Sequence, residues 1–343
     1  MIENKSNRID YLDIAKALGV IMVVWGHASG PLSTYMFQCH LPLFFIISGY
    51  LYNKNGGVKR YIIKKIETLY IPFVFFNTLS YSIQTIILNS SISKRDFLHY
   101  IFDIFRTYAK DGWYFGATWF LASLFIVSII YKVVDLSIPE GKIRPFIQIA
   151  IFIVIGIIGF QINFSFNQSR TFILAMFFAG GAFVRKYKYY FVEIDSPYLA
   201  MICMALFMFI GKYGSANMGP NKYNYPIQYV FGAFLSAYAI IYFCRVIENN
   251  SYYLKRILIS IGRNSLDIVL FQFVIFRIVV IIQMYFHDEP MNYTHIMEFY
   301  PYYNNEGVWW LIYTIAGIWG SIILGKILRQ GPWGFILKKI HVL

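Results

Sequence analysis

The chain has 343 residues, of which 58% are hydrophobic, 20% aromatic and only 14% charged, with a formal net charge of +13. A water-soluble domain of this length could not cover so much apolar surface, so the composition excludes a soluble globular protein and makes the bilayer the natural solvent. In such a chain the excess of Lys and Arg is first a topology signal, and nucleic acid is not an expected partner.

Taken in chain order, apolar runs of bilayer length predict spans at about 11–30, 37–53, 68–89, 112–131, 145–161, 170–184, 197–211, 226–244, 264–286 and 308–328. The predicted fold is an all-α integral membrane protein of about ten transmembrane helices. The first run follows Lys5 and Arg8 as a signal peptide would, but its length, its Asp13 and Lys16 and the spans behind it mark an uncleaved first helix. With the N-terminus inside, the inner segments hold 20 Lys and Arg residues, from Lys5 to Lys339, and the outer loops hold 7: Lys94, Arg95, Arg106, Lys110, Arg170, Lys212 and Lys222. That bias predicts both termini in the cytoplasm. No repeat, linker or soluble segment divides the chain, so residues 1–343 read as one membrane domain, with loops 90–111, 212–225 and 287–307 as a candidate substrate-facing cap. Cys39, Cys203 and Cys244 lie in or beside apolar runs without metal-ligand spacing and read as small buried residues.

Ionisable side chains at bilayer depth are costly and face a cavity or a partner. In YLDIAKALGVIMVVWGHASG (11–30), Lys16 and His27 stand eleven residues apart, close to three helical turns. They share one face and are about 16 Å apart along the axis. Asp13, three residues before Lys16, is placed to neutralise it. The stripe predicts a polar path through the protein; the competing reading is a structural ion pair plus a core histidine. After a short turn at Gly30 and Pro31, FQCHLPLFFIISGYLYN (37–53) places His40 near His27 at the outer end of a helix hairpin, and Ser48 and Gly49 permit close helix approach.

The LD…K spacing to His27, followed by HLPLFFIISGY, resembles the opening of acyltransferase family 3, integral membrane enzymes that O-acylate extracytoplasmic glycans. KRYIIKKIETLYIPFVFF (59–76), TWFLASLF (118–125), FFAGGAFVRK (177–186) and IGRNSLDIVLFQFVIFR (261–277) extend the resemblance over nearly the whole chain. Two positions depart from the family pattern: Lys16 stands where Arg is frequent, and Gln272 where many members carry His. An ammonium is a point charge, which weakens the case for bidentate anion binding.

The resemblance implies a multi-pass protein of the bacterial cytoplasmic membrane. It implies transfer of an acetyl group from cytoplasmic acetyl-CoA, a co-substrate and not a permanently bound cofactor, to a hydroxyl of a cell-surface glycan or lipid-linked saccharide. Lys59, Arg60, Lys64 and Lys65 would meet the CoA phosphates, with plain positive-inside topology as the alternative. The pantetheine arm would pass Lys16, and His27 would act as general base or as a transient acyl carrier. His40 would orient His27 or bind the acceptor. Arg277 is a candidate for stabilising an oxyanion or holding acceptor charge, or else a buried ion-pair member beside Asp267. Gln272 can hydrogen-bond. Asn264 is a candidate acceptor contact or a helix cap with Ser265, and Trp119 a candidate lining residue or interfacial packing. The loop HDEPMNYTHIMEFYPYYNNEG (287–307) has the amides, acids and tyrosines of a carbohydrate surface; His287, His295 and Glu298 have no diagnostic metal spacing. Two rivals stand: a transporter or flippase for a sugar or organic anion, and an O-succinyltransferase of the same family.

Overall fold

The structure is a computed structural model that describes residues 8–54, 57–87, 93–106, 116–164, 168–213, 216–218, 221–292, 295–296, 298, 301, 307–331, 334 and 337. Its helices, in order, are α1 (Asp10–His27), α2 (Ser33–Tyr50), α3 (Val58–Lys65), α4 (Ile71–Ile87), α5 (Lys94–Phe105), α6 (Trp119–Ser137), α7 (Arg144–Gln161), α8 (Ser169–Lys186), α9 (Lys188–Glu193), α10 (Pro197–Tyr213), α11 (Pro226–Asn250), α12 (Tyr252–Arg263), α13 (Ser265–Phe286) and α14 (Trp309–Gln330). Among the described residues ten of these have 17 residues or more, and they coincide with the ten predicted positions. Five stretches, Gly116–Ser137, α7, α11, α13 and α14, are long and apolar enough to cross a bilayer. Helices α1 and α8 are less apolar because each carries three charged side chains: Asp10, Asp13 and Lys16 in α1, Arg170, Arg185 and Lys186 in α8. The molecule is an all-α membrane protein, its single strand pair being the hairpin Ala216–Asn217 with Lys222–Tyr223 among the described residues.

The loops depart most from expectation. Within 90–111, α5 forms and lies antiparallel along α4: Tyr81 stacks on Tyr100 at 3.7 Å between ring centroids, and the Tyr70 hydroxyl donates to the Phe105 carbonyl at 2.7 Å. What is described of this expected cap is thus a helix folded back on the third predicted span; residues 90–92 and 107–111 lie outside the described residues. Loop 212–225 supplies the small hairpin, and of 287–307 only 287–292, 295–296, 298, 301 and 307 are described. Helix α12 was not expected. Its run YYLKRILISIGR is too polar for a span yet amphipathic, with apolar Leu258 and Ile261 buried and Lys255, Arg256 and Arg263 available for ion pairs. A π-turn at Ile66–Tyr70 joins α3 to α4. Pro72 has no N–H to give the Thr68 carbonyl, and the Thr68 hydroxyl donates to the Lys64 carbonyl one turn earlier at 2.8 Å; the chain widens here without breaking.

Polar contacts tie the helix ends that the basic residues assign to one side. Arg185 of α8 donates to the Tyr50 and Tyr52 carbonyls at 3.0 and 2.7 Å. Asp135 of α6 accepts from Tyr52, Arg144 and Gln148 at 2.7, 2.6 and 2.8 Å. Arg329 of α14 forks onto Asp267 of α13, and Lys255 of α12 pairs with Asp10 of α1 at 3.0 Å. The starts of α1, α7 and α13 and the ends of α2, α6, α8, α12 and α14 therefore meet at one pole, which we call the basic pole.

Helices α2 and α8 cross at bare backbone. A Cβ on Gly49 would stand 1.8 Å from the Phe178 carbonyl oxygen, and one on Gly181 would stand 2.0 Å from that of Ile46. Gly49 thus allows close approach as expected, to α8. Neither side can yield, because both obstacles are main chain. Gly49→Ala and Gly181→Ala should each cost about 1–3 kcal/mol by overpacking. The double variant should cost less than the sum, because the first methyl already parts the helices; thermal unfolding of the four proteins in detergent measures both.

Candidate active site

Helix α1 is regular from Asp10 to His27, so the stripe read from the sequence exists as a face of one rigid rod. At its foot, Lys16 Nζ lies 3.0 Å from Asp13 Oδ1, and Arg263 Nε lies 3.5 Å from Asp13 Oδ2. The arginine reaches in from α12, and only glycine fits beside it: a Cβ at Gly262 would meet the Asp13 carbonyl oxygen at 1.9 Å. Arg8, Asp13, Lys16, Arg263 and Ser265 line a cavity of about 410 Å³ here, at the basic pole. Lys16 keeps 28% of its side chain exposed, so the ammonium reaches this space although Asp13 neutralises it.

At the other end of α1, His27 Nδ1 lies 3.1 Å from Gln272 Oε1 on α13. Nδ1 is then the donor and Nε2 the basic nitrogen of the ring. Gln272 is fully buried, and Phe273 packs on the imidazole at 4.8 Å between centroids. His40 is close but differently held. Its Nδ1 contacts the Met36 carbonyl of its own helix, and Phe37 packs near both imidazoles, 6.1 Å from His27 and 5.8 Å from His40 between centroids. The turn between α1 and α2 is fixed by Trp25 Nε1 donating to the Pro31 carbonyl at 2.8 Å. Gly30 sits where any Cβ would strike that indole.

The other predicted site residues scatter. Arg277 is buried one turn beyond Phe273 and donates to its carbonyl at 2.6 Å. It does not pair with Asp267, which belongs to Arg329 at the opposite end of α13. Asn264 stands at the start of α13, about 12 Å along the axis from Gln272. Its side chain turns back to the Ser260 carbonyl at 2.7 Å and caps neither helix start. Trp119 is buried at the start of α6, next to Phe120, which packs on Phe44 and Phe45 below His40. Lys59, Arg60, Lys64 and Lys65 lie on α3, which packs along α6 through the Tyr61 hydroxyl on the Ser128 carbonyl, and none of them lines the cavity at Lys16. Burial, with Lys64 beside it, lowers Lys65 to about 8. Among the described residues no three His, Cys, Asp or Glu side chains gather as metal ligands.

Two elements were missed. Arg263 directly precedes the predicted span 264–286, and only the amphipathic pattern of α12 with its Gly262 signals a docked helix. Arg170, counted among outer-loop cations, is 3% exposed and stacks its guanidinium on Trp119 at 3.7 Å. Arg–aromatic stacking has no sequence spacing, so no local signal announces it.

Gln272→Leu removes the acceptor facing His27 Nδ1 in a buried setting and should cost about 1–3 kcal/mol of stability. Gln272→Glu, which keeps an oxygen there, should retain more of it; thermal unfolding of the two variants in detergent distinguishes them.

A family model described as an acyltransferase domain matches residues 9–326. No curated protein and no solved structure matches the chain. The match takes in α1 with Lys16 and His27, the HLPLFF run and the α13 segment with Gln272, and the chain belongs to acyltransferase family 3.

Proposed function

We propose that the protein moves an acetyl group from cytoplasmic acetyl-CoA to a hydroxyl of a cell-surface glycan or its lipid-linked precursor, through about ten spans with both termini in the cytoplasm. The observation that carries the reading is the pairing of His27 Nδ1 with Gln272 at 3.1 Å, at the far end of the helix whose foot opens on the cavity at Lys16. Family membership favours acyl transfer over transport.

In this reading the donor's anionic part stays at the basic pole, near Lys16, with α3 contributing long-range attraction, and its thin arm follows α1 towards His27. Nε2 takes the proton of the acceptor hydroxyl as its oxygen attacks the thioester carbonyl. The C–S bond breaks, and the imidazolium returns the proton to the departing thiolate, giving ester and free CoA. Gln272 holds the ring with its proton on Nδ1, which is the tautomer this step needs. His40, held by its own helix, orients the aromatic wall at Phe37.

Purified protein in liposomes with acetyl-labelled acetyl-CoA and a surface-glycan extract tests this. His27→Ala should lower label transfer by about 10²–10⁴-fold, the usual worth of a positioned base. A folded variant that still acetylates rules His27 out as the catalyst. Lys16→Met should raise the donor KM several-fold with a smaller effect on kcat, and unchanged donor kinetics would remove Lys16 from the donor path.

A further inference from the structure

A second cavity, of about 380 Å³, lies between α1, α2, α8, α10 and α11, away from the His27 site. Its walls are apolar: Ile46, Ile47, Leu199, Phe231, Phe234 and Leu235 among others. The charged side chains in its lining are both cations, Lys188 and Arg245, and both stand at the basic pole beside the Tyr11, Tyr50 and Tyr238 rings. Arg245 pairs with Asp195, to which Tyr238 also donates at 2.7 Å, yet its Nε is buried with no hydrogen-bond partner among the described residues. Asp195 offsets Arg245, and Glu248, one turn further along α11, acts on Tyr11 as well, so Lys188 is the lining cation that makes no ion pair among the described residues. From Arg245 to Phe231 the groove follows fourteen residues of α11, about 21 Å at 1.5 Å per residue. That exceeds half of a hydrocarbon core about 30 Å thick. Phe231 and Ile194 are exposed, so the groove opens sideways, where lipid lies.

We propose that this groove is a binding site for an anionic phospholipid of the leaflet at the basic pole. The singly charged phosphate diester would sit against Lys188 and the exposed edge of the Arg245 guanidinium, and one acyl chain would lie along α11 towards Phe231. Charge at one end, a leaflet's depth of apolar wall and a lateral opening together match an amphiphile of that charge and length, and basic pockets between membrane helices recognise such headgroups. The site is independent of the acetyl-transfer reading. Because Tyr11 and Leu12 of α1 form part of its wall, an occupied groove braces the foot of the helix that carries His27.

The test is native mass spectrometry of the full chain in detergent, titrated with phosphatidylglycerol and, separately, phosphatidylcholine. The expected result is a preference for the anionic lipid that Lys188→Gln reduces roughly fivefold, at about 1 kcal/mol per cation. Leu235→Trp, which fills the groove and leaves both cations, should reduce binding of phosphatidylglycerol as well. This second variant keeps the test decisive, because Arg245 substitutions disturb its pair with Asp195. Equal binding of the two lipids, or phosphatidylglycerol binding unchanged in either variant, overturns the proposal. So does displacement of the phospholipid by inorganic phosphate, which would make the site a bare anion site. Preferential retention of a polyprenyl phosphate over phosphatidylglycerol would overturn it in favour of a lipid-linked saccharide.

Discussion

Asp13 is the constraint on which the rest of the molecule turns. A carboxylate on the buried face of a membrane helix is tolerated only with partners, because removing it from water costs several kcal/mol that charge pairing must offset. It takes one partner from its own helix, Lys16, and a second from α12, Arg263. The second fixes the fold at the basic pole, since α12 must approach until Gly262 lies on the α1 backbone. The α13 start, one residue beyond α12, is placed by the same contact, and with it Gln272 two turns higher. The geometry at His27 is therefore set about 21 Å away, through two helices that share a foot.

A site built this way needs the rest of the bundle to be stiff. The α2–α8 crossing at Gly49 and Gly181 locks the helix that carries Phe37 and His40, and Arg185 clamps the same pair at the basic pole through the Tyr50 and Tyr52 carbonyls. These contacts are backbone against backbone or cation against carbonyl, and they allow little sliding. Lipid gives no hydrophobic drive between helices, so close packing of small residues and polar contacts hold them together. That is why the polar residues concentrate at one pole and the glycines at the crossings.

The sequence carried the long helices well, because continuous apolar runs and their breaks are a local signal. It carried the His27–Lys16 relation for the same reason: spacing on one regular helix is a local fact. It failed wherever a partner came from elsewhere in the chain. Asp267 has Arg277 on its own helix, yet pairs with Arg329, 62 residues on. Asn264 has the residue type of a helix cap and bonds backwards to Ser260. The Arg170–Trp119 stack joins residues from two different helices. Loop 90–111 read as part of a cap because it is one of the longest outer loops, and the docking of α5 along α4 depends on aromatic contacts that periodicity does not report.

The two departures from the family pattern fit together physically. An arginine beside Asp13 would form a planar fork and commit the carboxylate to it, whereas an ammonium occupies one oxygen. Lys16 lies on Oδ1, and Oδ2 remains for Arg263, so a lysine at this position lets one carboxylate serve two helices. At the far end Gln272 offers a neutral oxygen to His27 and carries no proton that titrates near neutrality. A histidine there could share charge with His27 and couple their titrations; a glutamine leaves His27 as the ionisable member of that pair. The result is a His27–Gln272 pair with one ionisable member over a charge-compensated base, which limits the number of charges placed at bilayer depth.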